Sequence, residues 1–531
     1  MGRSGCCRRQ ELAWQQPKPS DTYYVHSQRG TVMNLAANLH RSARLHPDRT
    51  ALSCGDRTIS YTEFLQLSQR IAGVIRASGV RPDTTIGLVS SNVPAFPVVF
   101  YGALLAGCSV VPLSPQLTAR ELIYFFEDSD AQMVLAHSPD ADAADAAARQ
   151  IGLPLLRVTG DGLPESWVRD TQPIEEAVHR SGDDTAVILY TSGTTGQPKG
   201  AMLTHDNLNT NAWTMCETIL ESDQHDVMII CLPLFHVFGL SCGINAAVVA
   251  GAESALVPKF DSSVVADLIG SKGATLFAGV PTMYSAMLND PGTHELSSLR
   301  VCLSGGAALP LEVLHGFERR YGATIYEGYG LSETSPAAVF NRPSIERREG
   351  SVGLAVRGTD VRIVDSQGVG VAHGVVGEIV IRGECVMAGY FGRPEATAEA
   401  IPDGWFRSGD LGRMDEDGYL YIVDRKKQMI IRGGYNVYPR QIEEVLYEHP
   451  AIREVAVIGL EHSRLGEEIG AAVVIREGFE FSQADVQEFC RERIAGFQRP
   501  RHIWEVRELP KNAVGKILHR SIRPPVGLTV E

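Results

Sequence analysis

Short apolar runs alternate with helical patterns between residues 33 and 423, and this alternation constrains the fold more than any other feature of the sequence. The runs that read as strands are TTIGLVSS, AQMVLAH, TAVILYT, GAESALVP, GATLFAGVP and LRVCLSGG. Because these strands are almost continuously apolar and are separated by helices, they predict parallel β-sheets buried on both faces. One helix can be placed in detail, since Ser60 and Glu63 form a capping box and Gly79 follows its end.

The same patterns predict an α/β protein with two domains. Short alternating strands between glycine-rich turns indicate a β-rich subdomain at the end of the large domain, which we place at 33–423. The charged run at 424–427 is the expected hinge. Beyond it, the order helix–strand–strand–helix–strand predicts a small, mobile α+β lid over 428–531. Residues 1–32 are expected to be a disordered tail.

Charge and cysteine content narrow the classes of function. The formal net charge of −14 makes broad nucleic-acid binding a poor interpretation, because such binding needs a basic surface. The ten cysteines form no CxxC pair, which favours reduced thiols, a cytoplasmic protein and no zinc site. The apolar stretch 98–111 is shorter than the roughly 20 residues that cross a bilayer. The stretch 227–252 contains Pro233 and His236, so we expect a buried segment there and no transmembrane segment.

A glycine- and hydroxyl-rich segment, TSGTTGQPKG, follows the apolar run TAVILYT directly. It is not a Walker P-loop, because Gly196 is followed by Gln197 and Pro198 rather than by Lys and Ser or Thr. Its glycines permit tight turns, and successive backbone amides in such a loop can bind an anion. From the loop alone, a plain surface hairpin and a phosphate-binding loop are both open. Its position after a buried strand favours the phosphate-binding loop.

Further motifs accompany this loop along the chain. They are YEGYGLSETSP, GEIVIRGECVMAGYFGRPEAT, WFRSGDLGRMDEDGYLYIVDRKK, RGGYNVYPRQIEE and LPKNAVGKILHR. Together with the loop they resemble, in the same order, the motifs of the acyl-adenylate-forming superfamily, which includes acyl-CoA synthetases, firefly luciferase and peptide-synthetase adenylation domains. The resemblance covers about residues 33–520.

The resemblance implies two half-reactions. A carboxylate attacks the α-phosphate of ATP to give an acyl-adenylate and pyrophosphate, and a thiol, usually that of coenzyme A, then displaces AMP. It implies ATP, Mg²⁺ and coenzyme A as the cofactor and co-substrates. The implied catalytic residues are Lys516, Glu333, Ser332, His236 and Lys199. The implied ATP- or AMP-binding residues are Thr191, Ser192, Gly193, Thr194, Thr195, Gly196, Lys199, Gly305, Gly306, Ala307, Glu327, Gly328, Tyr329, Gly330, Ser332, Asp410, Arg425 and Lys516.

Four of these residues carry specific roles in the family that the sequence resembles. Glu333 matches the magnesium ligand, and a hard carboxylate oxygen suits that ion. Tyr329 matches the ring that stacks on adenine, and Asp410 matches the acid that accepts hydrogen bonds from both ribose hydroxyls. Lys516 matches the lysine that bridges the substrate carboxylate and the α-phosphate.

The lid carries further matches. Lys427 corresponds to the hinge residue about which the lid rotates between the two steps. Gly433 and Gly434 correspond to the loop that lines the tunnel for the pantetheine arm of coenzyme A, where a thin chain passes close to the backbone.

The acyl substrate is predicted from the motif PLFHVFGL. His236 in this motif would lie near the substrate carboxylate, and Phe238, Val280 and Met283 are apolar. The absence of an aspartate from the motif argues against an amino acid, and the apolar set favours a medium- or long-chain fatty acid. A cinnamate- or benzoate-like aryl acid is the first alternative, although Ile431 and Gly433 replace lysines that plant aryl-CoA ligases carry.

Other functions sharing the fold are weighed as well. An acyl-AMP ligase that loads a carrier protein usually carries an insertion near the hinge, and the segment DRKKQMIIRGGYN shows none. A luciferase-like oxygenase is not excluded by local residues. A non-enzymatic binding protein is expected to lack Glu333, Asp410 or Lys516, and all three are present. The expected partners are small molecules, and a homodimer is compatible with the sequence.

Overall fold

The computed structural model describes residues 34–159, 171–191, 197–513, 515–528 and 530. The predicted tail at 1–32 and the loop residues at 192–196 lie outside this described part.

The first large sheet of the described chain has nine strands. Its six central strands pair in parallel, and antiparallel strands complete it at both edges. In spatial order the strands are Leu354–Ala355, Val339–Phe340, Ile325–Tyr329, Val301–Ser304, Leu276–Gly279, Val227–Ile230, Glu253–Leu256, Thr50–Cys54 and Arg57–Ser60.

A second sheet, of seven strands in the described residues, is built in the same way. Five strands pair in parallel. The last of them, Thr185–Thr191, also pairs antiparallel with Lys199–Thr204, and that strand pairs antiparallel with the short edge strand Gly389–Tyr390. In spatial order the strands are Gly389–Tyr390, Lys199–Thr204, Thr185–Thr191, Ser109–Leu113, Thr85–Val89, Ala131–His137 and Leu155–Val158.

The two large sheets share one apolar core, which confirms the prediction of buried, mostly parallel sheets. The helix Ala95–Leu105 is buried at every position within it. The other α-helices of the large domain are Ala37–Leu45, Tyr61–Ala77, Ala119–Asp128, Asp142–Ile151, His205–Thr214, Ala246–Ala250, Ser262–Lys272, Pro281–Leu288, Leu311–Tyr321 and Pro394–Ala400. Two segments, Met215–Ile219 and Phe238–Asn245, are π-helical.

The two apolar stretches singled out in the sequence are both built into this core. The stretch 98–111 is divided between the helix Ala95–Leu105 and the strand that follows it. The stretch 227–252 contains a strand, a π-helical segment and a short helix. Within the described ranges, no helix combines the length and the apolar character that crossing a membrane requires.

The β-rich subdomain is an antiparallel sheet, with four strands among the described residues. Its strands are Thr359–Val364, Gly377–Gly383, Phe406–Met414 and Leu420–Arg425. The last strand takes in Asp424 and Arg425, so it overlaps the first half of the segment predicted as the hinge.

The lid has its own sheet and its own apolar core. Its strands are Ile430–Arg432, Tyr435–Val437, Ile452–His462, Gly466–Ile475 and His502–Glu505, and its α-helices are Pro439–Tyr447 and Gln483–Arg493. The predicted helix–strand–strand–helix–strand order is present, but a short hairpin of two three-residue strands precedes it. This hairpin cannot be predicted from periodicity, because each strand is too short to show a period.

Candidate active site

Three adjacent parallel strands end side by side and place the predicted nucleotide residues at one sheet edge. Gly279 pairs with Ser304, and Ser304 pairs with Glu327, so Val280, Gly305 and Tyr329 follow at neighbouring strand ends. The carboxyl edge of a parallel sheet is where α/β folds bind ligands.

Gly330, just beyond this edge, allows a close approach of two backbone segments. A Cβ atom there would overlap the carbonyl oxygen of Pro336. Only glycine therefore fits, and the chain can turn directly from the strand into the short 3-10 turn Ser332–Thr334 that carries Glu333.

Tyr329, Asp410 and Arg425 form a hydrogen-bonded group on the edge of the β-rich subdomain. The Tyr329 hydroxyl donates to Asp410 Oδ2 over 2.7 Å, and Arg425 Nε lies 3.4 Å from Asp410 Oδ1. Asp410 and Arg425 face each other across two antiparallel strands, which explains their pairing. Asp410 is buried. The subdomain thus brings the predicted ribose-binding acid to the predicted adenine-stacking ring.

Glu333 is held by hydroxyl groups from two other segments. Thr191 Oγ1 donates to Glu333 Oε1 over 3.2 Å, and the Tyr390 hydroxyl donates to the same oxygen over 2.9 Å. Burial raises the pKa of the Glu333 carboxyl, and these hydrogen bonds oppose that rise. A buried carboxylate among hydroxyls has the hard oxygen donors that Mg²⁺ prefers.

The strands on either side of the glycine- and hydroxyl-rich loop pair antiparallel, and their ends lie beside Glu333. Thr191 pairs with Lys199 across the hairpin, and Lys199 Nζ lies 5.3 Å from the centre of the Tyr390 ring. Both interpretations of the loop stay predictions, and the position of its ends beside Glu333 favours the phosphate-binding one. Ser192, Gly193, Thr194, Thr195 and Gly196 lie outside the described residues.

The lid places Lys516 in this site. Burial lowers the pKa of the Lys516 amine to about 8, with Arg425 acting in the same direction and Asp410 opposing it. Lys516 belongs to a hairpin in which its backbone N–H donates to Asn512 Oδ1 and its carbonyl accepts from the Asn512 N–H, both over 2.9 Å. Residues 91 and 106 positions earlier in the chain are thus brought into electrostatic contact with Lys516.

His236 also lies within electrostatic reach of Lys516 and is neutral. Its Nδ1 accepts the backbone N–H of Phe238 over 3.3 Å. Burial, followed by the charge of Lys516, lowers the pKa of the His236 imidazole to about 4. The Phe238 ring packs on Gly305, since a Cβ there would lie 3.2 Å from Phe238 Cε1.

Glu327, predicted to line the adenine slot, lies where the large domain meets the lid. Burial raises the pKa of its carboxyl to about 7, while the charge of Arg440 opposes this rise and that of Glu444 adds to it. Both of those residues belong to the lid helix Pro439–Tyr447.

Three predicted lid residues are not gathered with the others. Lys427, Gly433 and Gly434 are exposed to solvent. Gly433 donates its N–H to the Leu465 carbonyl over 2.8 Å, within the lid. In this arrangement the lid therefore presents Lys516 to the site, and the glycine turn lies outside it.

Sequence reasoning missed the supporting residues Tyr390, Thr282 and Arg440. Tyr390 stands within one of the recognised motifs, GYFGRPEAT, but a tyrosine after a glycine has no distinguishing pattern of its own. Thr282 and Arg440 matter only through contacts between the lid and the large domain. No local sequence pattern predicts such contacts.

Comparison with known proteins finds a matching family for each part of the chain. The AMP-binding enzyme family matches residues 39–391, and the AMP-binding enzyme C-terminal domain matches residues 441–516.

Individual relatives match along almost the whole chain. A long-chain-fatty-acid--CoA ligase of Bacillus subtilis is 35% identical, over 92% of this chain and 94% of its own length. A feruloyl-CoA synthase of Amycolatopsis is 38% identical, over 92% and 98%. The crystal structure of ATP-bound MatB from Rhodopseudomonas palustris superposes with a TM-score of 0.86 at 32% identity, over 92% of this chain and 97% of that one. The chain therefore belongs to the AMP-binding enzyme family of acyl-adenylate-forming proteins and is an AMP-forming acid–thiol ligase of the acyl-CoA synthetase type.

Proposed function

We propose that the protein activates a medium- or long-chain fatty acid with ATP and transfers the acyl group to coenzyme A, giving acyl-CoA, AMP and pyrophosphate. The observation that carries this proposal is the apolar wall beside His236. Phe238, Val280 and Met283 are buried, the Phe238 ring packs on Gly305, and Val280 lies beside Gly306. The wall suits an alkyl chain, and a neutral His236 adds no charge to it.

The first half-reaction needs an arrangement that offsets negative charge at the α-phosphate. In our proposal the acid's carboxylate oxygen attacks the α-phosphorus, the bond to the bridging oxygen of pyrophosphate breaks, and an acyl-adenylate forms. Lys516 bridges the attacking carboxylate and the α-phosphate, where its positive charge stabilises the transition state. Ser332 donates a hydrogen bond from its hydroxyl to the α-phosphate. Lys199 and the loop 191–200 hold the departing pyrophosphate.

Mg²⁺, when bound, would neutralise phosphate charge, and Glu333 is the residue that would hold it. Its buried carboxylate and the hydroxyls of Thr191 and Tyr390 fit such an ion chemically. No group of three or more His, Cys, Asp or Glu that could hold a metal occurs in the described part of the chain.

The nucleotide itself is assigned to the groups beside these. Tyr329 stacks on adenine, in a slot lined by Gly305, Gly306, Ala307 and Gly328. Asp410 accepts hydrogen bonds from the ribose hydroxyls, in place of the one that it now accepts from Tyr329. Arg425 holds the Asp410 carboxylate through their ion pair.

The second half-reaction needs a different face of the lid. A rotation about Lys427 withdraws Lys516 and brings Gly433 and Gly434 to the site, where they line the path of the pantetheine arm. The thiolate then attacks the acyl carbon, and AMP leaves. Domain rotation about a few linker residues is a common way to alternate two catalytic arrangements.

An aryl acid is the second candidate, because the relatives include ligases of both substrate classes. The feruloyl-CoA synthase is 38% identical to this chain and the fatty-acid ligase 35%, so sequence similarity does not separate the two substrate classes. The Phe238 ring beside Gly305 could stack on a planar acid as well as pack against an alkyl chain.

A panel of acids separates the two candidates. Acetate through palmitate, with cinnamate and benzoate, would be scored by AMP release with and without coenzyme A. We expect the highest kcat/KM among fatty acids of medium or long chain and a CoA-dependent thioester product. A preference for cinnamate or benzoate would overturn the fatty-acid assignment, and AMP release without a thioester would overturn the acceptor assignment.

A further inference from the structure

The hairpin that carries Lys516 is docked on the large domain through one side-chain hydrogen bond next to that lysine. Thr282 Oγ1 donates to the carbonyl oxygen of Gly515 over 3.1 Å. Thr282 lies in the first turn of the helix Pro281–Leu288, two residues after Val280 of the apolar wall. We propose that Thr282 is a positioning residue for the adenylation step, and that its hydroxyl holds Lys516 in the site through Gly515.

The hairpin transmits this contact because it is internally rigid. Asn512 exchanges hydrogen bonds with the backbone of Lys516, and it also accepts the N–H of Gly515 over 2.9 Å. Lys511 and Ile517, which flank these residues, pair with each other in an antiparallel β-bridge. Fixing the Gly515 carbonyl therefore fixes the start of the lysine side chain.

Gly515 is shaped for a close approach to Thr282. Its φ of +83° is in the left-handed region, and a Cβ would lie 2.9 Å from Thr282 Oγ1 and 3.4 Å from Val280 Cγ2. A side chain here would push the hairpin away from the helix that anchors it.

Electrostatics alone does not hold Lys516 in place before substrate binds. The charged amine is buried, Arg425 repels it, and only Asp410 among its named neighbours attracts it. A desolvated cation with a net unfavourable environment needs other contacts to keep it docked.

The other docking contacts lie farther from Lys516 along the lid. Arg476 Nη1 donates to Asn289 Oδ1 over 3.0 Å, and Glu444 accepts the N–H of Leu311 over 3.4 Å. These contacts fix the lid as a body, whereas the Thr282 contact acts on the residue preceding the lysine. Thr282 also belongs to the helix that begins at the acyl wall, so one rigid element positions both the substrate pocket and the lysine hairpin.

The inference rests on the proposed function, and the test measures the two half-reactions separately. Thr282→Val keeps the shape of the side chain and removes the hydroxyl, and Thr282→Ser keeps the hydroxyl. Acid-dependent ATP–pyrophosphate exchange reports adenylation, and supplied acyl-AMP with coenzyme A reports thioester formation. Ser285→Ala, one turn along the same helix, is the matched control for loss of a hydroxyl.

We expect Thr282→Val to slow pyrophosphate exchange by roughly three- to tenfold, the effect of one neutral hydrogen bond, with thioester formation unchanged. Thr282→Ser and Ser285→Ala should keep both rates. Gly515→Ala, an independent variant on the lid, should also slow pyrophosphate exchange while leaving thioester formation unchanged. Equal losses in both half-reactions, or a Thr282→Ser as slow as Thr282→Val, would overturn the proposal. A wild-type enzyme that exchanges pyrophosphate but makes no thioester would instead overturn the proposed function, leaving the exchange comparison intact.

Discussion

At the scale of single residues, the site is a set of ionisable groups whose charges depend on burial. Glu333 and Lys516 are displaced in opposite directions for the same reason, since burial raises the pKa of the carboxyl and lowers that of the amine. Both shifts disfavour the charged forms in the protein alone. A bound triphosphate and its metal ion would reverse them, so substrate binding and correct charging are coupled.

The lowered pKa of Lys516 predicts an alkaline limit for adenylation. The amine is charged below its pKa, so kcat/KM for ATP should fall by about tenfold per pH unit above pH about 8. Lys516→Arg keeps its charge and should move this limb well upward, at a lower absolute rate. The check is the pH profile of pyrophosphate exchange for both proteins. An alkaline limb that stays in place in the arginine variant would assign it to another group.

Tyr390 is expected to position Glu333. Tyr390→Phe leaves the ring beneath Lys199 but removes the hydrogen bond to the carboxylate, and a bond of this kind is worth about tenfold or more in rate. We expect slower adenylation and a higher Mg²⁺ requirement, measured by titrating Mg²⁺ at fixed ATP. Tyr419→Phe, which loses a hydroxyl bond to the Glu346 carbonyl away from the site, is the control and should behave as wild type. An unchanged Mg²⁺ dependence in Tyr390→Phe would contradict this role.

At the scale of elements, the long and regular parts were predictable and the short parts were not. Ser60 caps its helix as predicted, accepting the Glu63 N–H over 3.2 Å while the Ser60 N–H donates to the Glu63 carboxylate over 2.8 Å. A cap is a contact between residues three apart, so the sequence contains it. The lid hairpin at 430–437 could not be predicted in this way, because its strands are ordered by pairing with Gly466 in a strand far along the chain.

The glycine turn of that lid hairpin should matter in one half-reaction alone. Gly434 has a φ of +86° and open space where a Cβ would point, so Gly434→Ala costs about 1–2 kcal/mol of backbone strain without a clash. We expect thioester formation from acyl-AMP to slow by about tenfold or more, because small displacements along the thiol's path are costly, and adenylation to persist.

Gly478 supplies a matched control for this experiment. It lies in another lid turn with a φ of +87° and equally open surroundings, so Gly478→Ala imposes the same strain without the proposed contact to coenzyme A. Equal losses of thioester formation in the two variants would show that Gly434→Ala acts only by destabilising the lid.

At the scale of the whole molecule, the proposed function makes the pose of the lid select the chemistry. Lys516 lies near Asp410 and Arg425 while Gly433 and Gly434 are exposed, and we propose that this pose serves adenylation. The described contacts that hold it include those through Thr282, Leu311 and Asn289 of the large domain. Arg440 of the lid also donates a hydrogen bond to the Ile422 carbonyl.

Locking this pose should separate the half-reactions in one protein. Asn289 and Arg476 touch across the domain boundary, so cysteines placed at both can be joined by a short, cleavable bifunctional reagent. The cross-linked enzyme is expected to form acyl-AMP and release pyrophosphate for one turnover but to make no thioester. Cleaving the linker should restore thioester formation, and each single-cysteine variant treated alike is the control. Thioester formation at the original rate in the cross-linked protein would show that no lid rotation is needed.

The sequence by itself determined which chemical groups the protein contains and the order of its strands and helices. Glu333, Asp410 and Lys516 are recognisable in their motifs, and alternating apolar runs suffice for a buried parallel sheet because such signals lie within a few neighbouring residues. Only the tertiary structure decided which groups meet. The neutral His236, the tyrosine that supports Glu333 and the threonine beside the lysine hairpin depend on burial and on contacts between distant segments, and neither is a property of any local stretch of the chain.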